Sequence, residues 1–164
     1  MNAEFEIKVT RKAMYRFLLY HTYHSASGLV SIVAGVGLLL YFFLGTAGAN
    51  HWIYAAFGIL LLIYLPWTLF MQAAKQTQLN PVFKKPLHYV VSESGIRVEQ
   101  EEASNEIAWE QVRRVCETRQ SILVYTGAKN AFIWIRVQMG SEEAAVRALL
   151  VKNVDAKRLK LKKA

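Results

Sequence analysis

SASGLVSIVAGVGLLLYFFL (residues 25–44) and WIYAAFGILLLIYLPWTLFM (52–71) decide how this chain is read. Each is an uncharged run of 20 residues, and at about 1.5 Å of rise per residue a helix of that length spans roughly 30 Å, the thickness of a bilayer's hydrocarbon core. The segment between them, GTAGANH (45–51), is small and weakly polar, so the pair reads as a transmembrane helical hairpin with a tight turn. No Asp, Glu, Lys or Arg stands between Arg16 and Lys75, and a water-soluble domain does not omit charge for that long.

Composition agrees once it is read by position. The 164 residues are 54% hydrophobic with a mean hydropathy of only +0.18, because every charge is crowded into the remainder. Lys8, Arg11, Lys12 and Arg16 precede the first span, Lys75, Lys84 and Lys85 follow the second, and the turn has none. The positive-inside rule then puts both termini in the cytoplasm. Tyr41, Phe42, Phe43, Trp52 and Tyr54 supply an aromatic belt at the opposite interface, and Pro66 is expected to bend the second span. Ala47-Gly48-Ala49 has the form of a signal-peptidase site, but 24 residues precede the run and its apolar stretch exceeds a signal's. Inside the spans, Ser27, Ser31 and Gly35 form a small-residue stripe that lets a second helix approach, with Ala55, Ala56 and Gly58 as candidate partners.

Past Asn80-Pro81 and Lys85-Pro86 the periodicity becomes that of short strands. Residues 87–92, 96–100, 106–109, 112–117, 121–126 and 131–137 read as strands, and 141–151 as a closing amphipathic helix capped by Ser141. Phe5, Ile7 and Val9 alternate with polar residues and make a seventh strand ahead of the membrane hairpin. The expected organisation is an N-terminal strand and basic interfacial segment (1–24), the hairpin (25–71), a linker (72–86), a sheet domain with its helix (87–151) and a basic tail (152–164). The fold class is an α+β membrane protein: a two-helix transmembrane hairpin with a cytoplasmic antiparallel β-sheet domain, PH-like in its strand count and C-terminal helix.

FEIKVT, the two spans, SESGI, EIAWEQVRRVCET and SILVYT, in that order, resemble the YcxB-like family of small bacterial membrane proteins. The resemblance implies a two-span anchor in the bacterial inner membrane, a PH-like domain and no assigned activity, so it hands over no catalytic residues.

The candidate chemistry is sparse. His21 and His24 sit one helical turn apart but lack the third and fourth ligands a stable metal site needs, since His51 is at the other membrane face. Cys116 is the single cysteine and forms no intrachain disulfide, in keeping with a cytoplasmic domain. Glu99, Glu101 and Glu102 read as a solvated loop tip, and Trp109 and Trp134 as core aromatics. No phosphate-loop, dinucleotide, nucleophile-elbow or zinc-protease motif occurs, so neither catalysis nor a cofactor is expected. The net charge of +8 and pI of 9.7 do not point to nucleic acid, because residues 75–151 are nearly balanced and the excess lies in the tail. Lys157, Arg158, Lys160, Lys162 and Lys163 stand where anionic lipid headgroups attract such a segment, unless the tail is a solvated arm. The expected partners are the bilayer, its anionic headgroups, and a membrane or cytoplasmic protein. The function expected is binding by a membrane-anchored domain, the alternative being an accessory or regulatory subunit of a larger membrane complex such as a transporter.

Overall fold

A computed structural model of the chain describes residues 2–45, 48, 50–101, 103–128 and 130–161. It has two long apolar helices near the N-terminus, followed by antiparallel sheets and a C-terminal helix. The chain forms two compact units, one from the described parts of Met1–Met14 and Gln76–Ala164, the other from Tyr15–Lys75.

Helix α1 (Arg11–Tyr23) is separated from α2 (Ala26–Leu44) by a break at Ser25. The Ser25 hydroxyl accepts from Gly28 N at 3.3 Å and donates to the Thr22 carbonyl at 2.6 Å, so one side chain ends α1 and caps α2. A Cβ on Gly28 would collide with the Thr22 carbonyl, and the turn therefore needs glycine there. The basic segment before the first span is thus a helix in its own right. Its N-terminus is signalled by Thr10, whose hydroxyl accepts from Ala13 N at 3.2 Å, and its apolar face by the buried Met14, Phe17 and Leu18.

Helix α3 (Trp52–Leu79) runs through Pro66 and continues eight residues past the expected end of the second span. Residues 72–79 are helix, where a linker was expected, because Gln72 to Leu79 contains good helix formers and meets its first stop signal at Asn80-Pro81. Both α2 and α3 are long and apolar enough to cross a membrane, with mean hydropathy of 2.2 and 2.0 over their most apolar windows, and 11% of each window is buried. Gly35 on α2 and Gly58 on α3 are the buried crossing point: a Cβ on Gly58 would lie 2.9 Å from the Gly35 carbonyl oxygen. At the turn, the ring of His51 hydrogen-bonds the Phe42 carbonyl through Nε2, stacks on Phe42, and lies beside Tyr41 and Tyr54.

The sheet unit has two four-stranded sheets. The first has the order β1 (Ala3–Ile7), β2 (Leu87–Val91), β3 (Gly95–Gln100), β4 (Ala103–Ala108); the second has β7 (Ala131–Ile135), β6 (Ser121–Tyr125), β5 (Arg114–Glu117), β8 (Leu159–Lys160). Strand β1 pairs antiparallel with β2, Phe5 opposite Tyr89, so the strand that precedes the long apolar helices joins the sheet that follows them. Alternation puts Ala3, Phe5, Ile7, Leu87, Tyr89, Val91 and Ile96 inside. The two sheets meet through aromatic rings, with Trp134 edge-on to Phe5 at 5.5 Å and to Tyr89 at 5.8 Å, and Phe132 edge-on to Tyr89 at 5.6 Å.

After β7 the chain turns into α4 (Arg136–Met139), where an extended end to the strand was expected, and then α5 (Glu142–Asn153), which buries Val146, Leu149 and Leu150. The Gln138 amide accepts from Lys8 N at 2.9 Å and donates to Lys8 O at 3.3 Å. It imitates a strand partner and ties the end of β1 to α4. The tail is no free arm up to residue 160: Leu159 and Lys160 pair parallel with β5, and Val115 N donates to Arg158 O at 2.8 Å.

Candidate functional site

Two polar features stand out in the sheet unit. The first is a part-buried ion network around the buried Glu117. Glu117, at the end of β5, has a side chain only 3% exposed; Arg147 Nη2 lies 2.5 Å from its carboxylate and Arg136 Nη1 3.4 Å. Glu143 accepts from Arg136 Nε at 2.7 Å and from Arg147 Nε at 3.0 Å. Two carboxylates and two guanidiniums thus alternate, joining β5, α4 and α5. The hydrogen bond it donates to Glu117 heads the causes that keep the Arg147 guanidinium charged to higher pH than usual. A network of matched charges holds elements in register, with one oxygen of each carboxylate bridging both guanidiniums.

The second is an open cleft of about 480 Å³ lined by Asn105, Glu106 and Ile107 of β4, Glu110 and Gln111 of the 3₁₀ turn that follows (Trp109–Gln111), Arg113, and Thr126 beyond β6. It lies where the chain crosses from one sheet to the other. The turn is anchored by Trp109, whose indole N–H donates to Ser92 O and Glu93 O at 3.2 and 3.1 Å. Strand β4 is one of the two edge strands of its sheet, β1 being the other. In the β3–β4 register Ile96 faces Ile107 and Arg97 faces Glu106. Ile107 directs its carbonyl towards β3, since a Cβ on Gly95 would come within 2.5 Å of that oxygen, whereas Ala108 N–H is bonded outward to Gln111 Oε1 at 3.2 Å. Alternation therefore turns the N–H and C=O of Ser104 and Glu106 away from β3. No strand among the described residues pairs with them.

The outer face of this sheet is acidic. Glu4, Glu6, Glu99 and Glu106 share it with His88 and Arg97, and Arg97 lies 3.9 Å from Glu99 and 3.8 Å from Glu106. Glu99 is therefore on a strand and Glu101 in the turn after it, where Lys85 pairs with Glu101; Glu102 lies outside the described residues. Glu93, exposed, is held below the ordinary carboxylate range by its hydrogen bond from Lys152 and that group's charge.

The residues singled out from sequence fall as follows. Gly35 is at the α2–α3 contact, Ser31 is half-buried, and Ser27 is exposed near the helix cap, its hydroxyl 3.1 Å from that of Ser25. Lys157, Arg158 and Lys160 are exposed on the docked tail, while Lys162 and Lys163, like Ala47 and Ala49, lie outside the described residues. His24 Nδ1 bonds the Tyr20 carbonyl at 2.9 Å and stacks on the Tyr20 ring, and His21 stacks on Phe17. No group of three or more potential metal ligands occurs among the described residues. Cys116 and Trp134 are buried, and the Trp134 N–H has no hydrogen-bond partner among the described residues. The cleft and the ion network went unseen in the sequence; only the i, i+4 spacing of Glu143 and Arg147 hinted at the latter.

Residues 91–145 match the YcxB-like protein family. The YcxB-like stretch starts at the last residue of β2 and ends in the first turns of α5, so it includes Gly95, β4 with the cleft, and Glu117, Arg136 and Glu143. No curated protein and no solved structure matches the chain.

Proposed function

We propose that this chain is a membrane-anchored binding protein of a bacterial inner membrane, multi-pass with both termini cytoplasmic, whose PH-like sheet domain engages a partner without catalysing a reaction. The observation that carries the reading is the β1–β2 pair. Strands on either side of the helical hairpin are hydrogen-bonded neighbours, so if α2 and α3 each cross once, the chain leaves and returns on one face of the membrane. The basic residues that flank the hairpin favour the cytoplasmic face. Leu29, Val30, Val33, Leu40, Ile63 and Trp67 are exposed on α2 and α3, and apolar surface on that scale in two adjacent helices calls for lipid. β1–β4 in one sheet, β5–β7 in the other and a helix after them support the PH-like reading. The exposed Lys157, Arg158 and Lys160 form a fixed basic strip suited to anionic headgroups.

A photoreactive residue introduced at exposed positions of the sheet domain (Ser104, Val137, Ala144) tests the reading in cells. Crosslinks to a defined protein or lipid species are expected from at least one face. Absence of any crosslinked species at all three positions contradicts it. A stable larger assembly in mild detergent, held through the helices alone, would favour an accessory subunit of a membrane complex instead.

A further inference from the structure

We propose that the outward edge of β4 takes an extended peptide as an additional strand, and that the peptide alternates basic and aliphatic residues. This rests on the sheet domain being a binding module and names its site and partner class. Three observations converge. The N–H and C=O groups of Ser104 and Glu106 face outward without a strand partner among the described residues, which is the arrangement that β-strand addition uses. The edge has a defined end, since the Gln111 side chain already occupies the outward N–H of Ala108, leaving a run of about four residues for pairing.

The side chains beside the edge specify the pattern. On a strand added to β4, residues opposite Glu106 and Ser104 lie on the acidic outer face, among Glu99 and Glu106. Alternate residues point inward over Ile107 and Asn105, into the cleft. Opposite charges across a strand pair attract and like charges repel, so the outward positions call for Lys or Arg, and the inward position over the buried Ile107 calls for an aliphatic group. The molecule already holds a strand of this kind on its other sheet. In Arg158-Leu159-Lys160-Leu161 the leucines are half-buried and the basic residues exposed, and Leu159 and Lys160 pair with β5. Two copies meeting edge to edge through β4 would bring the Glu106 side chains of both into one patch, which disfavours a second copy as occupant.

The test uses the full chain in a non-ionic detergent and a labelled peptide, Lys-Val-Lys-Val-Lys-Val, read by fluorescence anisotropy against empty micelles. The wild type should bind it at least about tenfold more tightly than Glu-Val-Glu-Val-Glu-Val. Methylating alternate backbone nitrogens of the basic peptide on the pairing side should cost at least about tenfold, as should Glu106→Lys, and hydrogen exchange should slow at Ser104 and Glu106. Equal binding of the methylated peptide, protection confined to β5 and β8, or dimerisation through β4 overturns the proposal. The methylated peptide acts on the unaltered protein, so misfolding of a variant leaves the test intact. If the peptides fail while photocrosslinks from Val137 or Ala144 persist, the edge assignment falls and the binding-module reading stands.

Discussion

Replacing Arg147 by leucine should destabilise the sheet unit by about 3 kcal/mol. Glu117 has a 3% exposed side chain, and its nearest cation is Arg147 at 2.5 Å, the second being Arg136 at 3.4 Å. Removing one partner of a buried pair costs roughly 3–5 kcal/mol because a desolvated charge is stranded. Arg136 still faces Glu117, which moves the expectation to the lower end of that range, but it already serves Glu143 at 2.7 Å and is 36% exposed. Removing both charges, as in Glu117→Leu with Arg147→Leu, leaves Arg136 and Glu143 as a matched pair and should recover at least about 1.5 kcal/mol relative to additive losses. Thermal and urea unfolding in detergent read this out; for a unit of this size about 3 kcal/mol lowers Tm by on the order of 15 °C. A single variant within about 1 kcal/mol of wild type, or a cycle additive to within about 0.5 kcal/mol, would refute the view that the network is a part-buried, mutually dependent set.

Gly95→Ala should cost about 2 kcal/mol or more, because its Cβ would come within 2.5 Å of the Ile107 backbone oxygen, which cannot rotate away; loss of Tm with unchanged helix content by circular dichroism is the readout. Gly58→Leu should separate α2 from α3, the Gly35 carbonyl being 2.9 Å from even a methyl at that site; a disulfide engineered across the crossing should form in the wild type and fail in the variant. Burial raises the Tyr89 phenol above its ordinary value, so the stability this group permits is complete below about pH 10 and is lost as pH rises further, at about 1.4 kcal/mol per pH unit. Tyr89→Phe should flatten that alkaline slope by one proton in pH-dependent unfolding, and an unchanged slope would contradict a buried neutral phenol.

The two long apolar helices were legible because a long uncharged run has few physical explanations, and Ser25 marks a start that the structure keeps. Their extension was not: hydropathy ends near Met71, whereas the helical ladder ends at Leu79 because polar residues of good propensity carry it on. Strand β4 begins at Ala103, in what read as a turn, since Gln100 already faces Ala103 and Glu101 adopts φ 55° where turn chemistry would favour Gly or Asn. The tail's pairing was hidden by its charge, although Leu159 and Leu161 alternate with basic residues as an edge strand's would. Cys116, on β5 between β6 and β8, is 1% exposed, so thiol labelling of topology needs a cysteine placed elsewhere. The candidate cleft depends on which strand is outermost, and strand order is a long-range property that no local pattern carries.

One sheet is built from strands on both sides of the helical hairpin. Cysteines at Glu4 and Val90, directly opposite each other across β1 and β2, fall within the Cα separation a disulfide accepts. Oxidised in membrane vesicles, this double variant should crosslink nearly completely, joining residues 4 and 90 across the hairpin. Two free thiols, both labelled in folded protein after the same oxidation, would contradict it.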